Sequence, residues 1–205
     1  MKYLFESKPF PTSGRLFFYI NRKEIAVNIL TFDGSCSEQV LRSCARLYCQ
    51  IWREPPWNED FWTVDGVIED LKCQTQKNGA KGLFAFCGEE ISGFTWGYSA
   101  NRDDMRKISE SADLDHLFLN GECVFYLAEL GVCTSSRNHK IGEKLTAHLL
   151  ASLAQDGIHT VVLRTDIKAD AARHLYQKLG FTDLQIKDGK HGNRTYWVLQ
   201  LNSGG

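Results

Sequence analysis

The sequence lacks an apolar run of about 18 residues, the length that a membrane-spanning helix needs. It also lacks a strong excess of either charge, because 24 Lys and Arg residues against 25 Asp and Glu residues give a formal net charge of −1. A near-neutral chain has no general electrostatic affinity for nucleic acid or anionic membranes. The N-terminus contains an early acid, Glu6, and no long apolar core, so we expect no signal peptide. We therefore expect neither nucleic acid nor a membrane among the partners.

The seven cysteines include no Cys-x-x-Cys pair, the spacing typical of zinc sites and redox motifs. Their number is odd, and several fall on predicted helix or strand faces. We interpret them as reduced thiols that pack as small hydrophobic groups, which predicts a cytoplasmic location and no metal site. Cys133 is given this packing role rather than that of a nucleophile.

Apolar residues make up 43% of the 205-residue chain, which is enough for one well-cored domain. Strand and helix patterns alternate in the middle of the chain, and strands pair as hairpins toward its ends. This pattern predicts a mixed α/β sheet. We predict a main domain over residues 27–203 and an N-terminal extension over residues 1–26, in which 16–20 is a candidate extra strand.

The most informative segment is a strand followed by a basic loop and the first turn of a helix. The strand, Cys123–Cys133, is apolar on both faces apart from one acid, Glu129. The loop, Arg137–Gly142, contains two cations and a glycine, and leucines recur at helical spacing after Ile141. Unpaired amides and partial positive charge at a helix N-terminus suit a phosphate. The segment therefore predicts an anion site beside a carboxylate.

The loop reads Arg137-Asn-His-Lys-Ile-Gly142, and a later helix ends with Leu175-Tyr-Gln-Lys-Leu-Gly-Phe181. These segments resemble the acetyl-CoA loop, Arg/Gln-x-x-Gly-x-Gly/Ala, and the fourth helix of the GNAT superfamily of N-acetyltransferases. Lys140 stands at the first glycine position, where a lysine would supply charge to the same phosphates. Ala169 replaces an asparagine that the family often has seven residues before the tyrosine, and Asp170 lies beside it.

The resemblance implies a mostly antiparallel central sheet of about six to seven strands, flanked by about four helices. Acetyl-CoA would lie in the gap between the fourth and fifth core strands, with no metal. Main-chain groups of the fourth strand would pair with the pantetheine arm as an added strand does, and the loop would bind the pyrophosphate. The cofactor-binding residues that follow are Leu130, Gly131, Val132, Arg137, Asn138, Lys140, Ile141, Gly142, Glu143 and Asp170.

Two side chains are candidates for the chemistry. Glu129 is an acid in an otherwise apolar strand, so its pKa should be raised toward the range that suits a general base. The alternative is that the Glu129 carboxylate only accepts structural hydrogen bonds. A chain of water molecules would then act as the base in its place. Spacing alone makes Tyr176 a core tyrosine, whereas the resemblance implies that its hydroxyl donates to the departing coenzyme A sulfur.

An aromatic loop between the first two helices, 52–62, contains three tryptophans and three acids. One interpretation is a packed helix connection. The other is an acceptor site in which tryptophans form flat walls and acids attract a cation. The candidate acceptor residues are Trp57, Glu59, Trp62 and Tyr98. Residues 100–120 are polar, apart from a candidate short helix, and form either a lid over this site or an ordinary insertion.

The favoured function is direct acetyl transfer to a primary amine of a cationic small molecule. A protein or peptide amine is the variant acceptor. The departures at Lys140 and Ala169 keep open a non-catalytic domain that binds acyl-CoA and has a regulatory role. A homodimer also remains an open alternative, and the acceptor itself is set by loops that carry no motif.

Overall fold

The computed structural model describes residues 16–17, 27–32, 36–118 and 123–201. Within these residues, eight strands form one sheet in the order β1-β2-β3-β4-β5-β6-β8-β7. The strands are β1 (Leu16–Phe17), β2 (Val27–Phe32), β3 (Lys81–Cys87), β4 (Glu90–Ala100), β5 (Val124–Val132), β6 (Thr160–Asp166), β7 (Thr182–Lys187) and β8 (Arg194–Gln200). All neighbours are antiparallel except β5 and β6, which are parallel. The predicted mixed, mostly antiparallel sheet is confirmed.

Five α-helices pack on this sheet in the described part of the chain. They are α1 (Glu38–Arg53), α2 (Val64–Thr75), α3 (Arg102–Ser109), α4 (Ile141–Gln155) and α5 (Asp170–Lys178). The predicted count was about four, and α3 is the candidate short helix of the 100–120 segment. Its N-terminus forms a capping box between Asn101 and Asp104, a local signal that compensates for its weak apolar pattern. Ser37 caps α1, since its hydroxyl accepts a hydrogen bond from the Val40 amide at 3.3 Å.

Alternation along the strands divides the core into layers. Phe125 and Leu127 of β5 are buried with α4 and α5 on one face of the sheet. Val124 and Tyr126 point to the opposite face, where they join a cluster that includes Met105 of α3. The helices α1 and α2 cover the neighbouring part of that opposite face with a third cluster. No helix among the described residues is long and apolar enough to span a bilayer.

The N-terminal predictions are partly within the described residues. Leu16–Phe17, the start of the candidate extra strand 16–20, pairs antiparallel with β2. Residues 18–20 and most of the predicted extension 1–26 lie outside the described residues. The boundary at residue 27 stays a prediction.

The strand β5 separates from β6 halfway along its length. Pairing between the two strands ends at Leu127 and Leu163, although β5 continues to Val132. On its other side β5 stays paired with β4, but Ala128 has no partner there, because Trp96 pairs with Glu129 and the next residue pairs with Leu127. This bulge redirects the side chains that follow it and leaves one edge of β5 open toward β6.

Gly97 makes the bulge sterically feasible. A Cβ atom at this position would lie 2.2 Å from the Tyr126 carbonyl oxygen and 2.6 Å from the Phe125 ring. Only glycine permits this approach of β4 to β5. The gap between β5 and β6 is therefore fixed partly by a residue outside both strands.

Candidate active site

Two cavities open along the gap between β5 and β6. The cofactor groove, of about 580 Å³, runs past the end of β5 and the N-termini of α4 and α5. The acceptor cavity, of about 340 Å³, lies beside the bulge in β5. They share the wall residues Trp57, Leu130 and Ala172, so the two spaces meet at these side chains.

All ten residues predicted to bind the cofactor line the cofactor groove. Other residues of its wall were not predicted from the sequence; among them, Pro55 and Pro56 follow α1 and Lys168 precedes α5. Lys168 lies on the turn before α5, two residues from the predicted Asp170, and the motif gives no signal for it. The open edge of β5 from Leu130 to Val132 offers main-chain groups to a strand-like ligand.

The loop before α4 turns sharply and leads into a helix N-terminus that has no side-chain cap, an arrangement that suits an anion. Asn138 and Lys140 both adopt left-handed backbone, with φ of 64° and 58°. Lys140 is the N-cap of α4 and its side chain provides no cap, so the amides of the first turn, from Ile141 to Glu143, have no side-chain cap from it and are available to a ligand. A glycine would adopt the conformation of Lys140 more easily, and the lysine adopts it nonetheless.

Arg137 lies at the rim of the cofactor groove but is already paired. Its Nη2 donates to Glu54 Oε2 at 2.6 Å, and Thr134 donates its hydroxyl proton to the other Glu54 oxygen. Burial alone would raise the pKa of the Glu54 carboxyl, but the hydrogen bonds from Thr134 and Arg137 outweigh it and lower the pKa. Glu54 therefore connects the end of α1 to the loop.

Glu129 is the acid of the acceptor cavity. It follows the bulge in β5, lines the cavity, and accepts a hydrogen bond from the Tyr48 hydroxyl at 3.3 Å. Burial, and then the negative charge of Asp70, raise the pKa of Glu129 to about 8, against opposing effects of Arg164, Tyr48 and Arg194. A carboxylate with this pKa can accept a proton near neutral pH, as the sequence reasoning expected.

Tyr176 faces the same cavity from α5. Its ring is buried against Phe181 and Trp197, with centroid distances of 5.7 and 6.2 Å. Among the described residues its hydroxyl has no hydrogen-bond partner, although it lines the cavity. Burial, followed by the charge of Glu129, raises the pKa of Tyr176 above its ordinary value, so the hydroxyl stays protonated and can donate.

The four predicted acceptor residues fall into two groups. Trp57 and Tyr98 line the acceptor cavity, whereas Glu59 and Trp62 do not. Trp62 Nε1 donates to Glu59 Oε2 at 2.7 Å, and Glu59 Oε1 accepts from Arg194 Nη2. Arg194 also lies over the Trp57 ring, 5.5 Å from its centroid. The aromatic loop therefore forms part of the cavity wall and fixes an arginine there.

None of the basic side chains that line the acceptor cavity was predicted from the sequence as a site residue. They come from α3, β6, the β7–β8 turn and β8: Lys107, Arg164, Lys190, His191 and Arg194. The sequence signal for Lys190 and His191 is the charged turn between the last two strands. This turn was predicted to join a hairpin but not to line the acceptor cavity. Burial, followed by the nearby Arg194 and Arg164, lowers the pKa of His191 and favours its neutral form.

The arrangement combines three chemical elements: a carboxylate whose pKa is raised to about 8, a protonated tyrosine in the same cavity, and a neighbouring groove at a helix N-terminus that has no side-chain cap. Within the described ranges, no group of His, Cys, Asp or Glu side chains has the arrangement of a metal site. The seven cysteines, all in the described part, are free thiols. Such a site suits proton transfer beside an anionic ligand.

Comparison with known proteins agrees with this geometry. A family model described as the acetyltransferase (GNAT) family matches residues 42–181, more than half of the chain. The fold is similar to a GNAT-family acetyltransferase from Staphylococcus aureus Mu50, with a TM-score of 0.63 and 16% identity over 86% of this chain and 100% of that chain. No curated protein matches the sequence significantly.

Two further structures are similar at the level of the fold. One is an aminoglycoside 6′-acetyltransferase type Ii, with a TM-score of 0.59 and 18% identity over 84% of this chain and 96% of that chain. The other is a chain of the NatC complex bound to Gag peptide and CoA, with a TM-score of 0.61 and 16% identity over 86% and 99% of the two chains. At these identities the likeness shows the fold and not the substrate. The match of the family model over residues 42–181 shows that this chain belongs to the GNAT family and is an acetyltransferase.

Proposed function

We propose that this enzyme transfers an acetyl group directly from acetyl-CoA to a primary amine. The observation that carries the proposal is that Glu129 and Tyr176 line one cavity, which meets the cofactor groove at Leu130 and Ala172. A base for the amine and a proton donor for the thiol therefore face a common reacting centre. Both side chains keep their predicted roles within this proposal.

The cofactor groove fits acetyl-CoA by three features of this chain. The open edge of β5 accommodates the pantetheine arm, the uncapped first turn of α4 accommodates the pyrophosphate, and Lys140 and Lys168 supply positive charge. The CoA-bound NatC structure shares this fold. The thioester supplies an activated acetyl group and a thiol leaving group.

Glu129 and Tyr176 handle the two protons of the reaction. An amine loses a proton when its nitrogen bonds to the acetyl carbon, and the ionised Glu129 takes this proton directly or through water. Tyr176 donates its hydroxyl proton to the sulfur as the carbon–sulfur bond breaks. The two groups return to their starting states when the proton on Glu129 passes to solvent and Tyr176 regains one.

The charge predicted for the acceptor rested on the three acids of the aromatic loop, and two of them are engaged elsewhere. Glu54 pairs with Arg137 and Glu59 with Arg194, while Asp60 is exposed. None of the three lines the acceptor cavity. The primary amine therefore stays in the proposal, but these acids do not support a cationic acceptor.

The test is acetyl-CoA-dependent thiol release with a panel of primary amines of different charge. We expect thiol release above the amine-free rate with at least one amine, together with a product that is one acetyl group heavier by mass spectrometry. Tight binding of CoA without amine-dependent thiol release across small amines and peptides would instead support a non-catalytic acyl-CoA domain. The cytosolic location and the homodimer stay predictions from the sequence.

A further inference from the structure

The acceptor cavity is lined by more cations than acids. Its basic side chains are Lys107, Arg164, Lys190 and Arg194, and its one acid in the lining is Glu129. Two of the cations are paired by acids behind the wall: Arg194 by Glu59, and Arg164 by Asp188 at 2.6 Å. Lys107 and Lys190 have no ion-pair partner among the described residues and supply uncompensated positive charge.

Arg164 keeps donor capacity although it is paired. Its Nη1 alone contacts Asp188 Oδ2, at 2.6 Å, and the Ile108 carbonyl, at 3.3 Å. Neither Nη2 nor Nε has a hydrogen-bond partner in the described part of the chain. The side chain is 21% exposed, so these donors are not sealed inside the core. A guanidinium held in this way presents a fixed fork that suits a carboxylate or phosphate.

Asp188 holds the arginine and the neighbouring turn in one arrangement. Its side chain is fully buried and accepts from the Tyr196 hydroxyl and from the amides of Lys190 and His191. These bonds orient the β7–β8 turn so that Lys190 and His191 line the cavity. The positive wall is therefore built into the fold rather than contributed by loose surface lysines alone.

Glu129 does not offset this charge at neutral pH. Its pKa is raised to about 8 by burial and by Asp70, so the carboxyl group is mostly protonated at pH 7. His191 is kept neutral by burial and the nearby arginines, which lower its pKa, and therefore adds no charge of its own. The cavity has a net positive wall before substrate binds.

The size and closure of the cavity favour a small acceptor over a polypeptide. The volume of about 340 Å³ is at the small end of ligand sites. At one side, α3 contacts the β7–β8 turn, because the Gly189 amide donates to the Ser109 carbonyl at 2.8 Å. A Cβ at Gly189 would lie only 2.7 Å from that oxygen, so no chain passes between them. A peptide would have to enter from another side.

We propose that the acceptor is a small primary amine that also carries a carboxylate or phosphate, which Lys107, Lys190 and Arg164 bind while the amine faces Glu129. The inference rests on the proposed amine acetylation and specifies its substrate class. The acids of the aromatic loop predicted a cationic acceptor, whereas this inference gives the acceptor an anionic group. An anionic group at one end of the acceptor would also orient the amine toward the junction with the cofactor groove.

The test uses matched amines that differ only in the remote group. One series is 3-aminopropanoate, 3-aminopropanol and 1,3-diaminopropane, and a second is O-phosphoethanolamine, ethanolamine and ethylenediamine. Thiol release is measured at saturating acetyl-CoA, and kcat/KM is expressed per neutral amine so that the amines' own ionisation cancels. We expect the anionic member of at least one series to exceed its neutral counterpart by roughly tenfold, with the diamine lowest and the preference falling with salt.

A double variant tests whether Lys107 and Lys190 bind the anionic group of the acceptor. Lys107→Gln combined with Lys190→Gln removes the two unpaired cations and should raise KM for the anionic amine by roughly fivefold, with little change in kcat. Lys187→Gln is the matched control, because Lys187 is an exposed lysine at the start of the same turn that does not line the cavity. It should leave the charge preference unchanged. Circular dichroism and CoA affinity check that the variants fold.

Each outcome decides one question. Acetylation of neutral or dicationic amines with no anionic preference overturns this inference and leaves amine acetylation standing. An anionic preference that the double variant leaves undiminished overturns the assigned subsite. Faster acetylation of peptides with an acidic first residue than of any small amine overturns the small-molecule acceptor. Absence of thiol release with every amine, despite CoA binding, overturns the proposed function itself.

Discussion

The cofactor groove and the acceptor cavity meet at Leu130, but the chain builds them in different ways. Most of the groove comes from two short segments, 130–143 and 168–175. The acceptor cavity takes side chains from α1, α2, α3, α5 and four strands, over a range from Trp52 to Arg194. One site is local in sequence, and the other exists only once the sheet has formed.

The difference follows from what each site has to recognise. Phosphates and an extended pantetheine arm bind to helix amides and a strand edge, which any chain can supply if the backbone conformation is right. Acceptor recognition depends on the charge and shape of side chains, which can vary while the backbone is kept. Variants on the two sides should therefore separate cofactor affinity from turnover.

The largest expected effect is on the acceptor side, with Glu129→Gln. Removal of the base should lower kcat/KM for the amine by roughly 100-fold or more at pH 8. The dissociation constant of CoA should stay within about twofold, because the substituted side chain lies outside the phosphate loop. Steady-state kinetics and calorimetry with CoA measure the two quantities. Loss of CoA binding in this variant would contradict the separation of the two sites.

The pH profile of the wild-type enzyme provides a second test of Glu129 as the general base. A base must be ionised, so kcat/KM per neutral amine should rise with pH and level off above about 8, where the raised pKa of Glu129 lies. Below that pH it should fall about tenfold per unit. Glu129→Gln should lack this limb, and a limb that persists unchanged would assign the base to another group.

Tyr176→Phe, also in the acceptor cavity, should have the next largest effect. The ring still packs against Phe181 and Trp197, so the fold and CoA affinity should be preserved. Turnover should fall by about tenfold or more, because the leaving thiolate loses its proton donor. Tyr126→Phe is a matched control, since Tyr126 lines the same cavity from β5 and has no assigned role in binding or catalysis. An unchanged turnover in Tyr176→Phe would remove the donor role.

The contrast between the two sites also explains which of their residues could be predicted from the sequence. The strand–loop–helix pattern around Gly131 predicted an anion site. The family resemblance, carried by this pattern and by the later Leu175–Phe181 segment, implied the gap and the ten residues that line the cofactor groove, because main-chain recognition leaves a short local pattern. Lys107 and Lys190 could not be predicted, since they are neighbours only through the contact of α3 with the last hairpin. Trp62 and Glu59, predicted from the composition and position of their loop, do not line the acceptor cavity, because a loop near a site can face inward or support the wall from behind.

Substitutions of Lys140 test the cofactor groove. Two properties of this residue have to be separated, its positive charge and the strain of its left-handed backbone. Lys140→Ala removes the charge but keeps a Cβ in left-handed backbone, and should weaken CoA affinity by roughly threefold. Lys140→Gly removes the charge and the strain, so it should bind CoA similarly to the alanine variant but be more stable by about 1 kcal/mol. Thermal unfolding should then separate the two variants by about 2–4 °C.

Asn138→Gly is the control for the effect of backbone strain. Asn138 is also left-handed, with φ of 64°, but asparagine tolerates this region better than lysine does. Its replacement should therefore raise the unfolding temperature less than the change from alanine to glycine at position 140. Equal gains at both positions would indicate that the strain is not specific to Lys140. Turnover at saturating acetyl-CoA should stay unchanged in all three variants.

The smallest expected effect is a shift of the pH profile by Asp70→Asn. The negative charge of Asp70 is the second cause, after burial, of the raised pKa of Glu129. Without this charge the pKa of Glu129 falls, so the acid limb of kcat/KM should move to lower pH, by roughly half a unit. Asparagine can still accept the hydrogen bond that Gln74 Nε2 donates to Asp70 at 2.6 Å. The packing of α2 on Trp96 should therefore be retained.

Glu69→Gln is the control that separates the effect of a charge close to Glu129 from the effect of the protein's overall charge. Glu69 precedes Asp70 on α2, but it is exposed and is not among the charges that act on Glu129. If only Asp70→Asn moves the limb, the titrating group lies within reach of Asp70, as Glu129 does. Equal shifts in both variants would indicate the overall charge of the protein instead. A limb that neither variant moves would place the base outside the acceptor cavity, and the contrast between the two regions would lose its chemical basis.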